Sequence, residues 1–273
     1  MSQRRRDPAC WAVSWPDALP AQTPMLLSPP PPPSEFAGEP NREPLESPGT
    51  DTLLWLVRHG RVTAPTTAYG DEDVPLSEEG LGQTALASEA LANQARPNRI
   101  VASPLIRART LGEQLAERTG LPLRLDPRLK ELHRGDWQGI ERTEYQARWR
   151  ADREAYWQDP LHWKGHGGES EAEVVARAWA ALSDALNGFQ AAGTGPTGCV
   201  VIAAHRQVIR ALTAAAMGIP PGRSHSMRLE PAHGILLQAS PGAWTLLRTN
   251  IFPPGAKHAT EPVDGPPKDV IVR

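Results

Sequence analysis

Three short stretches hold residues whose types could do chemistry together. Arg58, His59 and Gly60 follow the apolar run Leu53 to Val57; Ser103, Pro104 and Arg107 follow Arg99 to Ala102; His205 and Arg206 follow CVVIAA, Cys199 to Ala204. Each run has the length of a strand, and in open α/β sheets ligands bind beyond the carboxyl ends of strands. Two histidines and three arginines are therefore expected to converge on one crevice. Guanidinium forks match phosphate oxygens in bidentate geometry, and a helix start after each strand adds aligned N–H donors. An imidazole of near-neutral pKa can attack phosphorus unprotonated while the arginines stay charged. The predicted chemistry is phosphoryl transfer. No His-x-x-x-His or HExxH spacing and no Asp-rich loop accompanies His59 and His205, so neither a metal nor another cofactor is expected.

The elements that must position these residues can be read from pattern. From Leu53 onward, apolar runs of strand length alternate with helical stretches, which predicts an α/β fold: a mostly parallel central sheet with helices on both faces. Ser77 to Gln94 reads as a helix with Ser77 as N-cap and Leu81, Leu86 and Leu91 as apolar positions. Ser103 and Pro104 read as N-cap and first residue of a helix running toward Thr119, with Gly120 as its stop. Leu121 to Leu125 is a third strand candidate. Glu141 to Tyr156 is polar and aromatic, a peripheral helix whose Trp149, with Trp157 just beyond it, could cover a cleft. Gly168 to Gln190 is a long helix with Val174, Val175, Ala178, Trp179, Leu182 and Leu186 on one stripe. Gln207 to Met217 is a further helix, and Ile235 to Ala239 with Trp244 to Arg248 a closing hairpin.

With those residues in place, the sequence resembles the histidine phosphatase (phosphoglycerate mutase-like) superfamily from Leu53 to about Thr249. Six blocks carry the resemblance: LVRHG (Leu56 to Gly60), YGDEDVPLSEEG (Tyr69 to Gly80), SPLIRA (Ser103 to Ala108), LKELHRGDWQG (Leu129 to Gly139), GGES (Gly167 to Ser170) and AHRQVIR (Ala204 to Arg210). The resemblance implies a three-layer sandwich and a metal-independent phosphomonoesterase. It implies His59 as the nucleophile that becomes phosphorylated, Arg58, Arg107 and His205 as the phosphate pocket, and Glu131 as proton donor to the leaving oxygen. Among the family's members the chain looks most like alpha-ribazole phosphatase-like and other small-molecule phosphatases. Two other readings stand beside hydrolysis: a phosphoglycerate mutase, which returns the phosphoryl group to substrate, and a non-catalytic phospho-ligand binder or scaffold. Three positions depart from the family pattern. Arg206 and Gln207 follow His205 where Gly-Gly or Gly-Asn is usual, Arg134 stands where an aromatic residue is common, and Arg61 follows RHG where an acidic or amide residue is frequent. Arg206 is expected either to add a phosphate contact or to narrow access.

Composition bounds the rest. The chain has 273 residues with 29 Lys+Arg against 31 Asp+Glu, a formal charge of −2 that fits neither a polyanion-binding surface nor an acidic tail. Of 29 prolines, 12 lie in residues 1–50 and 5 in 253–273. Residues 1–50 read as a disordered proline-rich leader, 51–252 as the domain and 253–273 as a proline-rich tail. Two cysteines cannot form a disulfide framework, no export signal is visible, and no apolar run is long enough to span a membrane, so a cytoplasmic location is expected. The expected partner is a small phosphorylated metabolite, with a homodimer as a compatible assembly and neither nucleic acid nor membrane as a partner.

Overall fold

A computed structural model describes residues 51–187 and 198–251, so the leader and the tail lie outside the described residues. Strand β1 (Thr52–Arg58) is buried along almost its whole length, and β6 (Gly198–Ala204) along all of it. The two pair in parallel, β3 (Arg99–Ala102) pairs in parallel on the other side of β6, and β4 (Leu123–Leu125) lies parallel beyond β3. On the far side of β1 run β7 (Gly234–Ser240) and β8 (Ala243–Ile251), both antiparallel to their neighbours. The order is therefore β4-β3-β6-β1-β7-β8, a mixed sheet whose half nearest the three chemical stretches is parallel.

Side chains alternate across a strand, and here both faces are covered. Leu54 and Leu56 of β1 pack with α4 (Glu171–Leu186) and α5 (Arg206–Met217) in one cluster. Leu53 and Val57 point the other way, into a second cluster with residues of α1 (Glu78–Ala90) and α2 (Ile106–Thr119). The remaining helix, α3 (Arg142–Gln158), lies off the sheet, after a two-stranded pairing of β2 (Thr67–Ala68) with β5 (Ile140–Glu141). Among the described residues no helix is long and apolar enough to cross a membrane.

The strand and helix readings survive with four corrections. Leu81 and Leu86 do not serve as apolar positions of α1; they are exposed at 47% and 43%, and the helix buries Gly80, Thr84, Ala87 and Ser88 instead. Small residues let α1 approach its neighbours closely: a Cβ on Gly80 would run into Arg61 O, and one on Gly60 into Gly80 O and Thr84 Oγ1. Ser103 is not the N-cap of α2. That place falls to Leu105, and the orphan N–H of Ile106 is met by Asp73 Oδ1 at 2.6 Å from a distant loop. Helix α4 starts at Glu171, after a capping box in which Ser170 Oγ accepts from Glu173 N and Glu173 Oε2 accepts from Ser170 N. Trp157 is 44% exposed and does not line the cleft that Trp149 lines.

Candidate active site

Three adjacent parallel strands end together. Arg58 stands opposite Ala204, and Ala102 opposite Ala203, so the residues that follow β1, β6 and β3 emerge side by side. His59 N donates to Ala204 O and Ser103 N to Ala203 O, which extends the sheet ladder into the site. The site's backbone is thus held by the same hydrogen bonds that hold the core.

His59 is buried, and its Nδ1 lies 2.7 Å from Gly60 O. A carbonyl only accepts, so Nδ1 carries the proton and Nε2 keeps its lone pair. Burial, then the charges of Arg107 and Arg58, hold this imidazole well below the ordinary histidine pKa. His205 is fully buried with its ring 5.2 Å from that of His59, and its Nε2 meets Ser103 Oγ at 2.8 Å. Burial and the Arg107 charge depress its pKa too. Nδ1 of His205 is buried and makes no hydrogen bond with the protein.

The arginines are fixed through carbonyl oxygens. Arg107, on the first turn of α2, donates from Nη1 to Glu72 O at 2.5 Å and from Nη2 to Gly70 O at 2.7 Å. Arg58 donates from Nη1 to Leu229 O at 2.8 Å. Arg206 opens α5, and its charge also disfavours protonation of His59. All three predicted arginines therefore act on the same imidazole.

Glu131 is buried on the loop after a short 3-10 turn, Pro127–Leu129. Its Oε1 accepts from Leu132 N at 2.9 Å and its Oε2 from Gln207 N at 3.3 Å, and its charge reaches Arg107. Arg177 of α4 grips this loop, donating to Arg128 O, Lys130 O and Glu131 O at 2.6, 2.7 and 3.2 Å while pairing in bidentate fashion with Glu169 at 2.8 Å. Glu169 in turn accepts from His133 N.

The structure brings His59, Arg58, Arg107, His205, Glu131 and Arg206 into one region. Sequence reasoning missed several supports. It read Ser103 as a helix cap, whereas the hydroxyl is the partner of His205. It passed over Arg177 and the turn from Leu229 to His233, which accepts from Arg58 N and Arg58 Nη1 and donates from Ala232 N to His59 O. Ala232 takes a positive φ of 59° there, a strained conformation outside glycine that sits directly against the candidate nucleophile. Among the described residues no group of three His, Cys, Asp or Glu side chains is placed to hold a metal ion.

An arrangement of this kind can do two things at once. Its arginines can bind a phosphate dianion, and a neutral imidazole with a fixed tautomer can attack it. Comparison with known proteins points the same way. Residues 54–251 match the model of the histidine phosphatase superfamily, branch 1. A glucosyl-3-phosphoglycerate phosphatase of Mycolicibacterium vanbaalenii is 38% identical over 172 residues, which cover 61% of this chain and 75% of that protein. An adenosylcobalamin/alpha-ribazole phosphatase of Salmonella typhimurium is 30% identical over 186 residues, 65% of this chain and 85% of that one. The solved structure of a mycobacterial glucosyl-3-phosphoglycerate phosphatase in complex with inorganic phosphate superposes with a TM-score of 0.65 at 32% identity, covering 73% of this chain and 97% of that one. The matched span contains both histidines, the three arginines and Glu131, so the pattern first read at three strand ends is that of a family, and the chain belongs to the histidine phosphatase superfamily, branch 1.

Proposed function

We propose that the protein is a metal-independent phosphomonoesterase of small metabolites that works through a phosphohistidine on His59. One observation carries this reading: the 2.7 Å contact of Nδ1 with Gly60 O in a buried ring flanked by Arg107 and Arg58. It leaves Nε2 of His59 unprotonated and next to the charges that would hold a dianion.

In the first step Nε2 attacks phosphorus, the P–O bond to the leaving group breaks, and the leaving oxygen takes the proton of the Glu131 carboxyl. In the second, water attacks the phosphohistidine, its proton returns to Glu131, and the P–N bond breaks to restore the lone pair on Nε2. Arg58, Arg107 and Arg206 offset the charge on the phosphoryl oxygens throughout. With the Ser103 hydroxyl donating to Nε2 of His205, Nδ1 of that ring carries a proton and is a further donor to the phosphoryl group. These donors supply the charge stabilisation that metal ions supply elsewhere.

Glucosyl-3-phosphoglycerate, for which the 38% identical relative is named, is the first ester to test. The cytoplasm is the proposed location. Purified protein should release inorganic phosphate from a panel of phosphorylated metabolites that includes this ester, unaffected by chelator and inhibited by vanadate. Loss of activity on dialysis against a chelator, restored by a divalent ion, would contradict the reading; so would isomerised phosphoester appearing in place of free phosphate.

A further inference from the structure

Beside the catalytic residues lies a partly open cavity that the phosphoryl chemistry does not use. The cavity starts where Glu131 ends: Leu132 lines it, and so does Gln207, whose N–H holds Glu131 Oε2. An alcohol accepting the Glu131 proton would extend from there.

The walls are aromatic. Trp137, Tyr145, Trp149 and Trp163 all line the cavity. Trp137 meets Tyr145 at 5.4 Å and 88°, and Trp149 meets Trp163 at 5.7 Å and 89°. Such edge-to-face pairs brace one another, so the box is preformed. Its charged lining groups already have protein partners. Arg134 donates to Tyr69 O and the Tyr145 hydroxyl, Glu169 is closed by Arg177, and Arg210 donates to Met227 O and Gln207 Oε1. Among the neutral lining groups, an indole and an amide carry N–H donors that are not spent on the protein. Trp137 is only 3% exposed, yet its Nε1 makes no hydrogen bond with the protein, and the Gln207 amide carries a second N–H beyond its contact with His225.

Buried N–H groups left unpaired in a protein are rare and call for an acceptor. Aromatic walls with neutral donors suit a ring that offers C–H faces for stacking and hydroxyl oxygens for hydrogen bonding. We propose that this chamber holds the leaving alcohol and that the alcohol carries a neutral, polyhydroxylated sugar ring, with Trp137 Nε1 and the Gln207 amide as the donors that select it. The proposal rests on the phosphomonoesterase reading and gives it a substrate class. It also gives a use to one of the departures from the family pattern, since Gln207 stands where glycine or asparagine is usual.

The test compares kcat/KM for phosphate release from glucosyl-3-phosphoglycerate and bare 3-phosphoglycerate. Binding energy from a remote sugar is expected to favour the glucosyl ester over the bare one by about tenfold or more. Trp137→Phe keeps a ring and removes the N–H, and Gln207→Ala removes the amide from a half-buried surface position. Each should lower the glucosyl-to-bare ratio by roughly fivefold, the value of one hydrogen bond. Equal kcat/KM for glucosyl and bare esters, or equal losses on both esters in folded variants, would overturn the proposal. A second measurement separates it from the activity itself: glucosylglycerate, which has no phosphate, should quench the fluorescence of the chamber tryptophans in the wild type. Quenching in a protein that hydrolyses no ester would leave the chamber standing and remove the phosphatase reading; hydrolysis with no quenching by glucosylglycerate would remove the chamber.

Discussion

At the scale of single residues, the site depends on which proton each side chain holds. Glu131 is assigned to protonate the leaving oxygen, so its importance should follow the leaving group. Glu131→Gln should lower kcat for an alkyl phosphate by about 10²–10⁴-fold, and should cost far less for an aryl phosphate, whose oxygen leaves without help. Equal losses on both esters would point to a binding role instead. Arg206 is the residue whose part in the site the family pattern does not supply. Its charge reaches His59, so Arg206→Gly should raise the inhibition constant of phosphate or vanadate several-fold, in line with loss of one charge-assisted contact worth about 1.5–3 kcal/mol at most. An unchanged constant would place the guanidinium in solvent. Arg206, like His59 and His205, was legible in the sequence because it stands at the end of a run of apolar residues, where the sheet itself fixes its direction, whereas Glu131 was legible only through the family resemblance. Ser103 was seen for the same reason and given the wrong task. Only the fold reveals that His205 Nε2 is 2.8 Å from its hydroxyl.

Helices and loops show where local pattern stops being informative. The hairpin β7–β8 carries its signals within a few residues of itself, and the structure places it close to expectation. Helix α1 shows the opposite case. Its leucines suggested a buried stripe, yet its packing face is set by small residues that permit contact with Gly60 and Arg61, and no periodicity announces which neighbour will come that close. Arg177 was unreadable because its carbonyl partners at Arg128, Lys130 and Glu131 lie 46 to 49 residues away. It holds the backbone of the loop that carries Glu131. Arg177→Lys keeps a charge but loses the fork that spans Glu169 and three carbonyls. The variant should lower kcat for alkyl phosphates by roughly tenfold with KM little changed, and should spare aryl phosphates as Glu131→Gln does. A KM effect alone, or equal losses on both esters, would contradict a positioning role.

For the whole molecule, burying two neutral histidines at the end of the sheet ties stability to pH. His59 and His205 both have folded pKa values well below 6.5, the ordinary value they regain on unfolding. Below that value the unfolded chain takes up protons that the folded chain does not, so stability falls as pH drops. The carboxyls held low, such as Asp126 by the hydrogen bonds of Arg128, lose their contribution only near and below their ordinary 3.8. Between pH 7.5 and 5.5, therefore, the melting temperature should fall, and fall less in His59→Gln and His205→Gln, as followed by calorimetry without phosphate. A flat profile in the wild type would show that the histidines are not held neutral.

The central claim is that His59 carries the phosphoryl group between two half-reactions, and trapping that species tests it most directly. Wild-type protein mixed with ester labelled in the phosphoryl group and quenched within milliseconds should retain label that is acid-labile and base-stable, on the peptide containing His59. His59→Ala should retain none and release no phosphate while keeping its fold, since a polar side chain at a strand end supports little of the core. Label on another residue, or undiminished phosphate release by His59→Ala, would contradict the account.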